Sequence, residues 1–142
     1  RNIMNADLAK NLDGYYEHGK DKLTDVLKSM IEDGQTVTAV DYNNAVDMRE
    51  TLNTGLDGVF DRFDAIITPA SPGEAPAGLD ATGNPIFNTL WTYLGTPAVT
   101  LPLMEGPNGL PLGVQLVSRR GDDARLLRTA NWLTGRVTGE NG

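Results

Sequence analysis

The side chains that could carry nucleophilic chemistry are three serines and one histidine: Ser29, Ser71, Ser118 and His18. A serine hydrolase needs an activated hydroxyl, a base within hydrogen-bond reach and donors for the developing oxyanion. None of the serines lies in a glycine-rich nucleophile turn. His18 stands beside aromatic and charged residues, as a surface histidine would. The sequence therefore predicts no catalytic residue in this chain, and an independent hydrolase that uses Ser71 or Ser118 with His18 is a weak alternative.

Metal and cofactor chemistry has no recognisable motif either. The chain contains no cysteine, which excludes disulfides, thiolate metal sites and a thiol nucleophile. The adjacent acids Asp122 and Asp123 are better explained as charges at a helix start. Neither GxGxxG nor GxxxxGK[ST] occurs. We expect no metal and no cofactor.

The charge balance bears on the class of partner. The 142 residues carry a formal net charge of −7, and the acidic residues are spread along the chain without a basic cluster. Nucleic acid and anionic membranes are therefore not expected as partners. No apolar run approaches the roughly 20 residues of a membrane span, and no signal-peptide pattern is present. We expect a cytoplasmic protein.

A candidate binding surface lies on a short helix predicted over residues 86 to 94. Asn88, Trp91 and Thr92 are three and four residues apart and therefore share one face, while another face is apolar. Such a helix is suited to line a pocket. The alternative, which the spacing leaves open, is that Trp91 packs in the core while Asn88 and Thr92 satisfy nearby backbone groups.

Helices that would support this surface are predicted throughout residues 1 to 63. Apolar residues recur at helical spacing from Leu23 to Ile31, with Gly34 as the stop. A shorter helix before it is interrupted near Gly14. Thr38 and Asp41 form a T-x-x-D capping pattern that opens a long amphipathic helix.

The second part of the chain, residues 64 to 142, predicts strands and further helices. The apolar residues of the run from Ala65 to Thr68 do not alternate with polar ones, which indicates a strand buried on both faces. A loop rich in proline and glycine follows, from Pro69 to Pro85. Alternating apolar residues in two segments, 98 to 103 and 112 to 116, predict a β-hairpin, and Asp122 begins a last helix. The predicted fold class is α/β, with helices packed on a small mixed sheet that needs additional strands.

Three segments in the second half carry a family resemblance: DAIITPASPG, FNTLWTYLGTPAVTLP and GLPLGVQLVSRRGDDARLL. Their order and spacing resemble the C-terminal part of the amidase signature family of serine hydrolases. The resemblance implies a larger α/β/α fold and an amidohydrolase that acts through a Ser-cisSer-Lys triad. The chain has no Gly-Gly-Ser-Ser-Gly-like segment and no lysine that matches the triad position. Residues 1 to 142 are thus expected to form the C-terminal segment of an amidase domain.

The same resemblance implies the part that this segment plays. It would supply scaffold and one wall of the substrate pocket, formed by Thr68 and Pro69 and by the helix that carries Asn88, Trp91 and Thr92. The implied partners are a small-molecule linear amide and the missing N-terminal part of the same enzyme. The isolated segment should be inactive, and it should expose apolar surface that allows self-association. The alternative is a free-standing, non-catalytic binding module derived from an amidase tail.

Overall fold

The computed structural model describes residues 1–139, which form helices and a small sheet in two compact units. The first unit comprises Arg1–Thr51 and the second begins at Leu52. The elements, in chain order, are α1 (Asn2–Asn11), α2 (Asp13–Gly19), a short 3-10 helix (Lys20–Lys22), α3 (Asp25–Gln35), α4 (Ala39–Phe60), β1 (Ile66–Pro69), α5 (Ile86–Leu94), β2 (Ala98–Glu105), β3 (Pro111–Val117) and α6 (Asp123–Thr138).

In the first unit, α1 packs closely against α3 at a glycine. Gly34 is buried, and a Cβ atom placed there would overlap the backbone carbonyl of Asn5 and crowd the side chain of Ala9. Gly34 does not stop the helix as predicted, because α3 continues to Gln35 and Thr36 follows as its C-cap. The glycine instead permits close contact between two helices, which local sequence signals do not show.

The predicted start of the long helix is confirmed. The Thr38 hydroxyl oxygen accepts a hydrogen bond of 3.1 Å from the Asp41 backbone N–H. The same hydroxyl donates to the Asp41 carboxylate at 2.7 Å. A free N–H group at the first turn of α4 is thereby satisfied, and α4 runs for 22 residues to Phe60.

The sheet of the second unit has the strand order β1-β3-β2. The hairpin of β2 and β3 is confirmed, with an irregularity in register between Leu101 and Met104. Both pairings in the described residues are antiparallel, whereas the sequence predicted a mixed sheet. The α/β class itself is confirmed, since α6 packs against this three-stranded sheet. In the middle strand, Gln115 lies opposite Thr68 on one side and Thr100 on the other.

The core of the second unit lies between the sheet and α6. Leu116, Leu126 and Ala130 are buried there, and the half-buried residues around them are Ala65, Val99, Leu101 and Leu133. Burial of an aliphatic side chain such as Leu116 contributes about 1.5–3 kcal/mol. The expectation that β1 is buried on both faces is wrong for the described residues, because Ile67 is 61% exposed. The reason is that α6 packs mainly against β2 and β3.

A helix that crosses a bilayer must be both long and apolar, with roughly 20 residues in the hydrocarbon core. Among residues 1–139, no helix combines the length and the apolar character that such a crossing would require.

Candidate functional site

A cleft of about 610 Å³ opens beside the N-terminal end of α5. Its walls come from the segment between β1 and α5, from the first turn of α5 and from the start of β3. The lining residues are Ala70, Ser71, Pro72, Gly73, Glu74, Ala75, Pro76, Thr82, Gly83, Asn84, Pro85, Asn88 and Pro111. A cleft of this size falls within the range of small-molecule sites.

Local sequence signals define both ends of α5. The Asn84 side-chain oxygen accepts a hydrogen bond of 3.0 Å from the Ile86 backbone N–H, and Pro85 occupies the N-cap position. Gly95 ends the helix in the left-handed conformation, with a φ of 70°, which glycine adopts without steric cost. The buried side chain of Asn53 donates to the Leu94 carbonyl at 3.1 Å. The last turn of α5 is therefore held by α4 as well as by its own cap.

Asn88 is the residue of α5 that faces the cleft, and hydrogen bonds fix its side chain. Its amide nitrogen donates to the Ala70 carbonyl at 3.1 Å. Its amide oxygen accepts a bond of 2.6 Å from the side chain of Gln115. Gln115 in turn accepts a bond of 3.1 Å from the Thr68 hydroxyl. A chain of polar contacts thus connects β1, β3 and α5. These contacts fix the orientation of the Asn88 side-chain amide.

The five residues predicted to form the pocket wall are Thr68, Pro69, Asn88, Trp91 and Thr92, and the structure places them differently. Asn88 lines the cleft. Thr68 is linked to it through Gln115, behind the cleft surface. Pro69 is exposed at the end of β1, Trp91 is half-buried and Thr92 is exposed, and none of these three lines the cleft. Their part in substrate binding stays a prediction.

Gln115 was not among the predicted site residues, although it holds the centre of this network. It is only 4% exposed, and a buried amide must find partners. The signal that would have identified it is a glutamine between Val114 and Leu116 in an otherwise apolar strand.

A single carboxylate connects the outer wall of the cleft, which is the segment between β1 and α5, to the turn between β2 and β3. Glu74 accepts hydrogen bonds from the Asn108 backbone at 2.9 Å, from the Asn108 side chain at 2.5 Å and from the Leu110 backbone at 3.1 Å. Gly106 leaves the necessary room, since a Cβ atom there would overlap the Glu74 side chain. The bond from the Asn108 side chain is the main cause of a pKa of Glu74 below its ordinary value. We call this arrangement the Glu74 clasp.

The serines of the second unit are engaged with backbone carbonyls. Ser71 lines the cleft, but its hydroxyl donates to the Gly73 carbonyl at 2.6 Å. Ser118 is fully buried, and its hydroxyl donates to the Asp64 carbonyl at 3.3 Å. Neither bond connects a serine to a general base. Within residues 1–139, no group of three or more histidine or acidic side chains is arranged to hold a metal ion.

Similarity in sequence extends over most of the chain. A family model described as Amidase matches residues 1–127. A component of the glutamyl-tRNA(Gln) amidotransferase of Cereibacter sphaeroides is 35% identical over 102 residues, which cover 65% of this chain and 21% of that protein. The 2-amino-5-chloromuconic acid deaminase of Comamonas testosteroni is 26% identical over 138 residues, which cover 88% of this chain and 29% of that protein.

Solved structures show the same fold. A crystal structure of an amidase superposes with a TM-score of 0.84 and 24% identity, over 95% of this chain and 34% of that one. The structure of 6-aminohexanoate cyclic dimer hydrolase gives a TM-score of 0.77 and 21% identity, over 94% of this chain and 33% of that one. The present chain spans between about a fifth and a third of the length of these proteins.

Proposed function

Because the chain belongs to the amidase family, we propose that it is part of an amidohydrolase that cleaves a linear carboxylic amide to an acid and ammonia or an amine. The observation that carries this proposal is the family match, which extends over residues 1–127 and therefore reaches into both compact units. The relatives are several times longer than this chain. The nucleophile can therefore be encoded in a part of the protein that residues 1–142 do not include.

The proposed reaction is serine acylation followed by hydrolysis. A serine hydroxyl attacks the amide carbonyl, the C–N bond breaks as the amine leaves with a proton, and water then hydrolyses the ester. The Ser-cisSer-Lys triad of the family would carry these steps. Ser71 and Ser118 are poor candidates for the nucleophile, because their hydroxyl groups donate to carbonyl oxygens and not to a base.

The part of this chain in the reaction would be to shape the substrate pocket. The Asn88 side chain is held in one orientation by Ala70 and Gln115. A polar group that is fixed before the substrate arrives loses little conformational entropy on binding. Asn88 can thus position a substrate at the cleft without reorganisation, and the rest of the enzyme would supply the reactive serine.

A serine-directed probe tests this division of labour. We would label the complete protein with a fluorophosphonate, locate the modified serine by peptide mass spectrometry, and measure ammonia release from simple amides. We expect amide hydrolysis by the complete protein and a labelled serine outside residues 1–142. Ser71→Ala and Ser118→Ala variants should retain labelling. Label on Ser71 or Ser118, or full amidase activity in the 142-residue chain alone, would contradict the proposal.

We also propose that the isolated chain self-associates and that the complete protein is cytoplasmic. Exposed apolar side chains support the first point, among them Ile67 and Trp132, which are 61% and 60% exposed. Sedimentation velocity of the isolated chain should show concentration-dependent oligomers, and a monomer at all concentrations would count against it. Fluorescence microscopy of the tagged complete protein would test the location.

A further inference from the structure

The charge of the cleft lining bears on which amide the enzyme accepts. Among the residues that line the cleft, Glu74 is the one with a charged side chain. The remainder are prolines, alanines, glycines and neutral polar residues. On the basis of the amidase function proposed above, we infer that the cleft accepts an amide with an apolar acyl group, and that it discriminates against amides that carry a carboxylate.

The clasp keeps the carboxyl group of Glu74 in its ionised form. Three N–H groups, two from Asn108 and one from Leu110, point at its oxygens. Such donors favour the carboxylate over the protonated acid, in agreement with the lowered pKa of this residue. A substrate carboxylate in the cleft would therefore meet a fixed negative charge. At a separation of about 4 Å in a water-filled site, this repulsion raises a dissociation constant by about five-fold.

The N-terminus of α5 also faces the cleft, and it would attract a substrate carboxylate that Glu74 repels. A helix N-terminus carries roughly half a positive charge, through N–H groups that have no partner inside the helix. Here several of those groups are already engaged. The Ile86 N–H donates to the Asn84 side chain, and the N–H groups of Asn88 and Thr89 donate to the Pro85 carbonyl. The full charge of Glu74 should therefore outweigh the helix terminus.

The arginines of the second unit offer no cation to the cleft wall. Arg119 forms ion pairs with Asp57 and Asp61, and Arg125 forms one with Asp64. Arg120 lies near Gly95, at the opposite end of α5 from the cleft. No arginine or lysine lines the cleft within the residues that the structure describes.

A neutral substrate finds complementary groups on the same wall. Alanine and proline side chains can cover an apolar acyl chain, and they lie at Ala70, Pro72, Ala75, Pro76, Pro85 and Pro111. The three N–H bonds to Glu74 come from the hairpin turn, so its oxygens are already solvated by the protein. A cationic substrate would still be attracted by this carboxylate, although less strongly than by a free one.

Three amides of equal length separate the possibilities in the complete enzyme: hexanamide, adipic acid monoamide, which adds a carboxylate, and the ω-amino derivative of hexanamide. We expect a KM at least about five-fold higher for the carboxylate analogue than for hexanamide, and a KM for the ω-amino analogue that does not exceed that of hexanamide. An equal or lower KM for the carboxylate analogue than for hexanamide would overturn the inference. Calorimetric binding of the same amides gives a readout that does not depend on turnover. Preferential binding without hydrolysis would support the inference and contradict the proposed reaction.

A charge introduced into the wall provides a gain-of-function test. Thr82→Lys places a cation among the lining residues and should lower the KM for adipic acid monoamide several-fold. Asn131→Lys makes the same change of charge on the exposed surface of α6, outside the cleft. We expect Asn131→Lys to leave the KM for hexanamide and the KM for adipic acid monoamide unchanged. An equal effect of the two variants would show that net charge, and not the cleft, governs selection, and would overturn the inference.

Discussion

The side-chain amide of Gln115 donates a hydrogen bond of 2.6 Å to the side-chain oxygen of Asn88. This bond joins the buried middle strand of the sheet to the helix that borders the cleft. Both residues keep a further partner, Thr68 for Gln115 and Ala70 for Asn88. The position of α5 against the sheet thus depends on a polar connection as well as on apolar packing.

Replacement of Gln115 by leucine should destabilise the second unit. The change removes the donor to Asn88 and leaves the amide oxygen of Asn88 and the hydroxyl of Thr68 without their partner. The loss of a partner for a buried polar group costs about 1–3 kcal/mol. Urea denaturation followed by circular dichroism would measure it. Asn131→Ala, at an exposed position of α6, should change stability much less, and an equal loss in both variants would contradict the assigned role of Gln115.

Removal of the Glu74 clasp should loosen the outer wall of the cleft. In Glu74→Ala no acceptor remains for the N–H groups of Asn108 and Leu110. We expect faster amide hydrogen exchange in residues 70–76 and in the turn at residues 106–110. Asp80→Ala makes the same change of charge at an exposed position of the same loop and serves as the matched control. Unchanged exchange in Glu74→Ala would show that the clasp does not hold the wall.

Acid should release the same contact. The folded protein lowers the pKa of Glu74, chiefly through the hydrogen bond from Asn108. The stabilisation is therefore complete above the ordinary glutamate pKa of about 4.3 and is lost as the pH falls through the lower folded value. Exchange of residues 70–76, corrected for the intrinsic pH dependence, should rise over this window in the native protein. Glu74→Gln should show no such rise, and an identical rise in both would assign the effect to another group.

A methyl group at Gly34 should separate α1 from α3. In Gly34→Ala the new Cβ atom meets the carbonyl of Asn5 and the side chain of Ala9, and overpacking of this kind costs about 1–3 kcal/mol. Gly14→Ala is the control, because nothing lies within 4 Å of its added Cβ and alanine favours helix over glycine. We expect a lower melting temperature for Gly34→Ala and an equal or higher one for Gly14→Ala. Comparable losses would contradict the packing explanation.

The parts of the structure that the sequence predicted well are those with local causes. The Thr38 cap, the extent of α5 and the hairpin of β2 and β3 each follow from residues a few positions apart. The misjudged parts depend on distant contacts. Gly34 resembles a helix stop in the sequence, but its contact with Asn5, which is far away along the chain, leaves no local signal. An apolar strand such as β1 predicts burial, but it does not specify which of its faces other elements cover, and Ile67 is exposed.

For the candidate site, the sequence by itself determined the family resemblance and the lack of a triad motif, and it predicted five pocket residues, of which Asn88 lines the cleft. It also determined the limits of α5, because caps and helical periodicity act over one or two turns. Only the tertiary structure decided that Gln115 orients Asn88 and that Glu74 fastens the cleft wall to the turn at Asn108. These contacts join residues 27 and 34 positions apart. Side chains so distant along the chain meet only when strand register and helix packing are established, and no local pattern of residue types records that meeting.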